Sequence, residues 1–228
     1  GFFNPYKILE ITLNNGLDPI SKKQIGLHTG DVRTFTSMGQ VIEAFRTQIH
    51  YFAVQWLKVF ARVQACHAYL LPTFTASCFT AGCIEKGEYL QQGAAPHKFS
   101  VCAITSPANV ADSLYAVKKL VFDEKAYTLA DVRKATSENW EDNEIMRQRF
   151  LRQDKFGNDL DEVDELLVRI TDMIADVLDN TYNNRGQQYR ASLYQFQGHT
   201  ATNVLPATPD GRLANEPLAH GINPTAGR

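Results

Sequence analysis

The chain has 228 residues, with 23 basic and 25 acidic side chains, a formal net charge of −2 and a pI near 6.3. So small a charge gives no support to a nucleic-acid or anionic-membrane partner, and no segment approaches the roughly 18–20 apolar residues of a membrane span. The apolar fraction of 44% is sufficient for a sizeable core, and the length fits one large domain or two small ones.

The first third of the chain predicts two helices and a long connection. Asn4-Pro5 is a good helix start, and the helix is expected to stop at Asn14–Gly16. Residues 16–36 are rich in glycine and predict an ordered loop. Ser37 is predicted to cap a long helix whose apolar stripe extends from Met38 to Val63 and which continues to Pro72. A shorter helix is predicted over residues 75–85.

A strand followed directly by a helix is the clearest local pattern. Phe99–Thr105 is short, apolar and partly β-branched, which predicts a buried strand. Ser106 is predicted to cap the next helix, with Pro107 in its first turn. The apolar positions of that helix share one face: Val110, Leu114, Val117 and Val121. The pattern therefore predicts a helix that packs through a single side.

Further helices follow. Thr128 and Asp131 resemble a capping box that opens a helix to Asn139, and helices are predicted over 141–152 and 160–181. Tyr189–Phe196 has the pattern of a strand, and Pro209-Asp-Gly211 predicts a turn. Residues 213–228 are predicted to form a loop. Together these elements predict a helix-rich α/β chain with few strands.

The common catalytic and metal-binding motifs are absent. The sequence contains no phosphate-binding glycine loop and no G-x-S-x-G, and its six histidines do not have zinc-ligand spacing, so no metal site is expected. None of the four cysteines belongs to a C-x-x-C pair. They are expected to be reduced, mostly buried thiols, which favours a cytoplasmic location.

Three segments resemble the pyruvate formate-lyase-like glycyl radical enzymes: Ser106–Lys125, Lys155-Phe-Gly-Asn-Asp159 and Thr208-Pro-Asp-Gly-Arg212. Weaker similarities follow the same order and cover nearly the whole chain. They are Asn4–Gly16, Lys23–Gly26, Thr29–Asp31, Cys83–Gly87 and Asn139-Trp140.

The resemblance implies a ten-stranded α/β barrel with the active site inside, of which residues 1–228 would be a central, partial domain. It implies a glycyl radical installed by a separate activating enzyme that uses S-adenosylmethionine and an iron–sulfur cluster, with no cofactor bound directly by this chain. The implied partners are a small-molecule substrate, the activating enzyme, and a second copy or larger assembly. Neither the thiyl-cysteine loop nor the glycine loop is found, so this portion alone is expected to be inactive.

Two groups of residues invite a functional interpretation. Cys83-Ile84-Glu85 has the Cys-x-Glu pattern that the family uses for a thiyl radical beside a general base. Cys83 and Glu85 are nevertheless interpreted as structural, because the family's catalytic loop precedes a segment like Phe3–Gly16, which here opens the chain. No catalytic residue is therefore assigned. Ala103, Ile104 and Thr105, at the end of the predicted strand, are candidates for lining the substrate cavity, with ordinary barrel core as the alternative.

The reaction is less clearly indicated than the family. Gly93-Ala-Ala-Pro-His-Lys-Phe99 departs from the Tyr-Asn pattern that the diol and choline lyases and the arylacetate decarboxylases usually keep. The favoured prediction is therefore addition of a hydrocarbon to fumarate, as in alkyl- or arylsuccinate synthases. The alternatives are a glycyl radical dehydratase, a C–N or C–C lyase or an arylacetate decarboxylase, and, outside the family, a non-catalytic helical domain.

Overall fold

The computed structural model describes residues 2–183, 185–193, 205–220 and 222–225. Within them, helices dominate and the strands are short. The helices are α1 (Pro5–Leu13), α2 (Met38–Leu70), α3 (Phe74–Cys78), α4 (Cys83–Lys86), α5 (Pro107–Val117), α6 (Leu129–Ser137), α7 (Glu144–Leu151) and α8 (Asp161–Leu178). The strands are β1 (Phe2–Phe3), β2 (Leu17–Asp18), β3 (Lys23–Gln24), β4 (Phe99–Ile104) and β5 (Gln188–Ser192). The predicted helix-rich α/β class is confirmed.

The main sheet has three parallel strands in the order β1-β4-β5. Strand β4 lies in the centre, with Phe3 opposite Ile104 on one side and Tyr189 opposite Ser100 on the other. Helices α5 and α8 connect β4 to β5 and pack against each other, as expected for a parallel crossover. Helices cover one face of this sheet.

The predicted long helix is confirmed as α2, and its apolar stripe packs against α1 and α8. Its start is fixed by Gln40, whose Oε1 accepts hydrogen bonds from the backbone N–H groups of Thr36 and Ser37. Further along, Trp56 stacks on Phe60, and the ring of Tyr189 from β5 meets Trp56 edge-on. These aromatic contacts attach α2 to the helix-covered side of the sheet.

Helix α5 differs from its prediction in two respects. Every residue from Pro107 to Val117 is buried, so the helix does not pack through one apolar face alone. Ser106 does not cap it, because its backbone is left-handed (φ 48°) and its side chain makes no cap hydrogen bond. The Ser106 hydroxyl lies instead 3.5 Å from the carbonyl oxygen of Ala219. A π-helical segment, Lys118–Asp123, extends α5 at its carboxyl end.

Other predicted boundaries also shift. The single helix expected over 75–85 is wrong: α3 and α4 are separated at Gly82, whose φ of 83° is incompatible with a continuous right-handed helix. The loop over 16–36 contains the short antiparallel pair β2–β3. Residues 194–196 of the second predicted strand lie outside the described residues. Among the helices that the structure describes, none is both long and apolar enough to cross a membrane.

Candidate functional site

The three segments that carry the family resemblance meet around α5. The turn at 208–212 places the carboxylate of Asp210, which is fully buried, against the helix. One oxygen, Oδ1, accepts hydrogen bonds from the hydroxyls of Tyr6 (3.2 Å) and Thr208 (2.5 Å). The other oxygen accepts one from Asn109 Nδ2 at 3.0 Å. A buried carboxylate needs such donors, because an ion left unpaired in the interior costs several kcal/mol.

Asn109 connects α5 to the C-terminal segment through both ends of its amide. Its Nδ2 also donates to Thr225 Oγ1 at 3.0 Å, and its Oδ1 accepts from the backbone N–H of Ala219 at 2.8 Å. We call Tyr6, Asn109, Ser113, Thr208, Asp210 and Thr225 the buried polar network. Burial and the nearby carboxylate of Asp210 raise the pKa of Tyr6 well above its ordinary value, so its phenol stays protonated and donates.

The Lys155–Asp159 segment contacts the same helix on a neighbouring turn. Asp112 Oδ1 accepts a hydrogen bond of 2.7 Å from the backbone N–H of Phe156. Gly157 has a φ of 87°, and a Cβ built there would lie 2.3 Å from Pro224 Cγ. All three segments are therefore held together around α5, and these contacts give them a structural role.

Arg212 completes the turn. Its guanidinium donates to the carbonyl oxygens of Glu216 (2.7 Å) and Pro206 (2.6 Å), and it lies 6.0 Å from the centre of the Tyr6 ring. Gly211 has a φ of 88°, and a Cβ there would come within 2.9 Å of Leu151 Cβ. Only glycine fits this position without strain or overlap.

The sheet face opposite the helices is largely exposed. Phe99 and Val101 of β4 are 61% and 37% exposed, and Phe2 of β1 is 69% exposed. Ala103 and Arg190 have the same strand parity and belong to this face. We call Phe2, Phe99, Val101, Ala103 and Arg190 the open sheet face. The other face of β4 carries the buried residues Ser100, Cys102 and Ile104, whereas this face is left largely exposed by the described residues.

The three predicted cavity residues occupy different environments. Ala103 is half-buried on the open sheet face, whereas Ile104 is fully buried on the side packed against the helices. Thr105 follows the strand, and both its backbone N–H and its hydroxyl donate to the carbonyl oxygen of Phe3, at 2.9 and 3.2 Å. That these residues line a substrate cavity stays a prediction. The parity of β4 indicates that Val101 is a position to add.

Cys83 and Glu85 do not share one environment. The Cys83 side chain is buried at the start of α4, and Glu85 is exposed. Their structural role stays a prediction. All four cysteines are free thiols; Cys83 and Cys102 are buried, while Cys66 and Cys78 are exposed, so the expectation of mostly buried thiols holds for only half of them. Burial raises the pKa of Cys102 to about 12, which leaves its thiol protonated and unreactive near neutral pH.

Comparison with known proteins agrees with the resemblance. Residues 1–203 match the protein family described as pyruvate formate lyase-like. The chain is 35% identical over its whole length to trans-4-hydroxy-L-proline dehydratase of Clostridioides difficile, covering 29% of that protein.

Two solved structures superpose on nearly all of the chain. The B12-independent glycerol dehydratase of Clostridium butyricum, in its glycerol-bound form, has a TM-score of 0.91 and 33% identity over 99% of this chain. A structure concerned with 1,2-propanediol dehydration in Roseburia inulinivorans has a TM-score of 0.91 and 36% identity over 99%. The chain spans 29% of the length of each.

The predicted central portion of a pyruvate formate-lyase-type barrel is thus confirmed by fold as well as by sequence. The chain belongs to the pyruvate formate lyase-like family of glycyl radical enzymes.

Proposed function

We propose that this chain is part of a glycyl radical dehydratase that removes water from a small hydroxylated substrate. One observation carries the proposal: three proteins that resemble the chain at 33–36% identity over 99% or more of its length are concerned with dehydration of hydroxyproline, glycerol and propanediol. These relatives give no support to the predicted addition of a hydrocarbon to fumarate. These relatives outweigh the departure at residues 93–99, which favoured that addition, and membership of this family argues against a non-catalytic helical domain.

The proposal includes the partners and radical group that the resemblance implies. A separate activating enzyme with S-adenosylmethionine and an iron–sulfur cluster would install the radical, and the full-length protein would form a homodimer or larger assembly. When present, the radical supplies removal of a hydrogen atom from the substrate carbon beside the carbon that loses its hydroxyl. The protein itself must bind the substrate, protonate the departing hydroxyl and exclude bulk water.

The residues of this chain would supply part of the cavity wall. In parallel sheets of α/β proteins, ligands lie at the carboxyl ends of the strands, which for β4 is the end that carries Ala103 and Thr105. The open sheet face is mainly apolar there, and an apolar wall protects a radical intermediate from water and side reactions. Behind it, the buried polar network holds α5 and hence the end of β4 in place.

The test uses the full-length protein, activated anaerobically by its activating enzyme. Electron paramagnetic resonance measures radical formation separately from turnover. We expect water loss, followed by mass spectrometry, from at least one of glycerol, 1,2-propanediol and trans-4-hydroxyproline. A protein that carries the radical signal, converts toluene and fumarate to an adduct, and dehydrates none of the three would contradict the proposal.

A matched pair of variants tests the cavity wall. Ala103→Phe adds a ring on the open sheet face and should reduce turnover by about tenfold or more, because small displacements of a substrate carry large rate penalties. Ala81→Phe, at an exposed position before α4, should leave turnover unchanged. The radical signal should be the same in both variants. Equal activity of the two variants would show that Ala103 does not face the substrate.

A further inference from the structure

A cavity of about 400 Å³ lies at the amino-terminal end of β4, bounded by α2 and by the segment before β5. Its polar lining includes Gln64, His67, His97, Lys98, Arg185 and Gln187. We call it the basic cavity. It is at the opposite end of β4 from Thr105, about 20 Å away at the rise of an extended strand.

The charges in the basic cavity are of one sign. Arg185 and Lys98 are cationic, two histidines lie beside them, and none of the described lining residues is Asp or Glu. Elsewhere in the described chain, lysine and arginine side chains such as Lys7 and Arg46 form ion pairs with carboxylates. No such pair is formed by Arg185 or Lys98 with any residue that the structure describes.

The guanidinium of Arg185 lacks the partners that a partly buried cation requires. Its Nε is buried and has no hydrogen-bond acceptor among the described residues. Burial lowers the pKa of Arg185, Tyr189 opposes that effect only in part, and no carboxylate among the described residues opposes it. An unsatisfied donor of this kind costs about 1–3 kcal/mol, and more when it is charged. An anion in the cavity would offset the cost of burying this cation by charge attraction, without contacting Nε.

The loop that carries Arg185 is held in place by hydrogen bonds. Asn183 accepts from the backbone N–H of Arg185 at 2.9 Å and of Gln187 at 3.0 Å. Its amide nitrogen donates to Gln187 Oε1 at 2.7 Å and to Ser100 Oγ at 3.2 Å. Ser100 Oγ in turn accepts from Gln64 Nε2 at 2.6 Å. The backbone at Arg185 is therefore held in place before any ligand arrives, which reduces the ordering cost of binding.

We propose that the basic cavity binds a compact multivalent oxyanion, namely phosphate, either as the free ion or as the phosphate group of a small molecule. A guanidinium presents parallel N–H donors that match two oxygens of phosphate, and Lys98 adds a second positive charge. The volume accommodates a phosphate with a small organic group attached. This phosphate site is separate from the proposed dehydratase site, which lies at the carboxyl end of β4.

The experiment measures binding of inorganic phosphate to the full-length protein by isothermal titration calorimetry at constant ionic strength, with sulfate, chloride and a phosphomonoester in parallel. Phosphate and sulfate should bind more tightly than chloride. Tighter binding of the phosphomonoester than of inorganic phosphate would identify an esterified ligand, and equal binding would identify the free ion. Arg185→Gln should weaken phosphate binding by about tenfold or more, the effect of a charge-assisted hydrogen bond.

The control is Arg62→Gln, which removes an equal charge from an exposed position of α2 outside the cavity lining. It should change phosphate affinity by less than about twofold. Lys98→Gln provides a second variant of the cavity should Arg185→Gln fail to fold, as judged by circular dichroism. An absence of binding at millimolar phosphate would overturn the proposal. An acidic segment of the full-length protein that fills the cavity would give this result. Equal losses in Arg62→Gln and Arg185→Gln would also overturn it.

Discussion

Replacement of Asp210 by asparagine tests the buried polar network with almost no change in shape. In the native protein Asp210 acts only as an acceptor, and its two oxygens face different donors. In Asp210→Asn, the retained oxygen can still accept from Tyr6 and Thr208. The new amide nitrogen must then face Asn109 Nδ2, so that two donors meet where a donor and a carboxylate oxygen stood at 3.0 Å.

The magnitude follows from this geometry. The variant loses one charge-assisted hydrogen bond and leaves a buried N–H group without an acceptor, which together cost about 2–3 kcal/mol. Asn109 Nδ2 keeps its contact with Thr225 Oγ1, which limits the loss. We expect a lower melting temperature of the full-length protein and faster amide hydrogen exchange in α5, where the network is attached. Asp172→Asn, at a more exposed site on α8, should change stability by less than about 0.5 kcal/mol.

Exchanging the two residues, in the double variant Asn109→Asp with Asp210→Asn, gives the decisive result. Asn109→Asp alone places two carboxylates together in the interior and should be more harmful than Asp210→Asn. Combining the two restores one donor and one acceptor, since the carboxylate introduced on α5 can still accept from the backbone N–H of Ala219. The double variant should therefore be more stable than the sum of the single changes predicts, by at least about 1 kcal/mol. Additive effects would show that the Asn109–Asp210 contact does not stabilise the protein.

Two further substitutions test local features. Gly211→Ala should destabilise the protein by about 2 kcal/mol or more, because it combines left-handed backbone strain with overlap with a neighbouring side chain. The control Gly87→Ala should cost only about 1 kcal/mol, because Gly87 has a φ of 64° and no atom lies within 4 Å of the added Cβ. Equal melting temperatures of the two variants would refute this difference. Lys7→Gln should cost about 1 kcal/mol at neutral pH, because Lys7 Nζ lies 2.8 Å from Asp18 Oδ1. Burial raises the pKa of Asp18, but hydrogen bonds from Lys7 and Ser21 outweigh burial and hold the pKa well below its ordinary range. The stabilisation by the Lys7–Asp18 ion pair is therefore present above about pH 4 and is lost as the pH falls. An effect of Lys7→Gln on stability that persists in acid would contradict the assignment of that effect to this ion pair.

The sequence was sufficient to predict features set by local patterns. The stripe from Met38 to Val63 and the Thr128 capping box both correspond to observed helices. Strand β4 was also predicted correctly, because its length and its flanking prolines are local signals.

Local sequence patterns could not predict contacts between distant segments of the chain. The apolar periodicity of α5 predicts one packed side, but its polar positions are buried as well, because Asp210 arrives from another part of the chain. In the same way, periodicity shows that β4 is apolar and does not show which face the helices cover. Ala103 and Ile104 were therefore grouped, although they lie on opposite faces of the sheet.

The buried polar network has a consequence for how the protein folds. The Tyr6–Asp210 hydrogen bond joins residues 204 positions apart, and the Asn109–Asp210 bond joins residues 101 apart. Contacts of such long range close large loops and form after local helices and neighbouring elements have assembled. Changes to Asp210 should therefore alter the unfolding rate far more than the refolding rate. We therefore expect the network to form late in folding and to lengthen the lifetime of the native state.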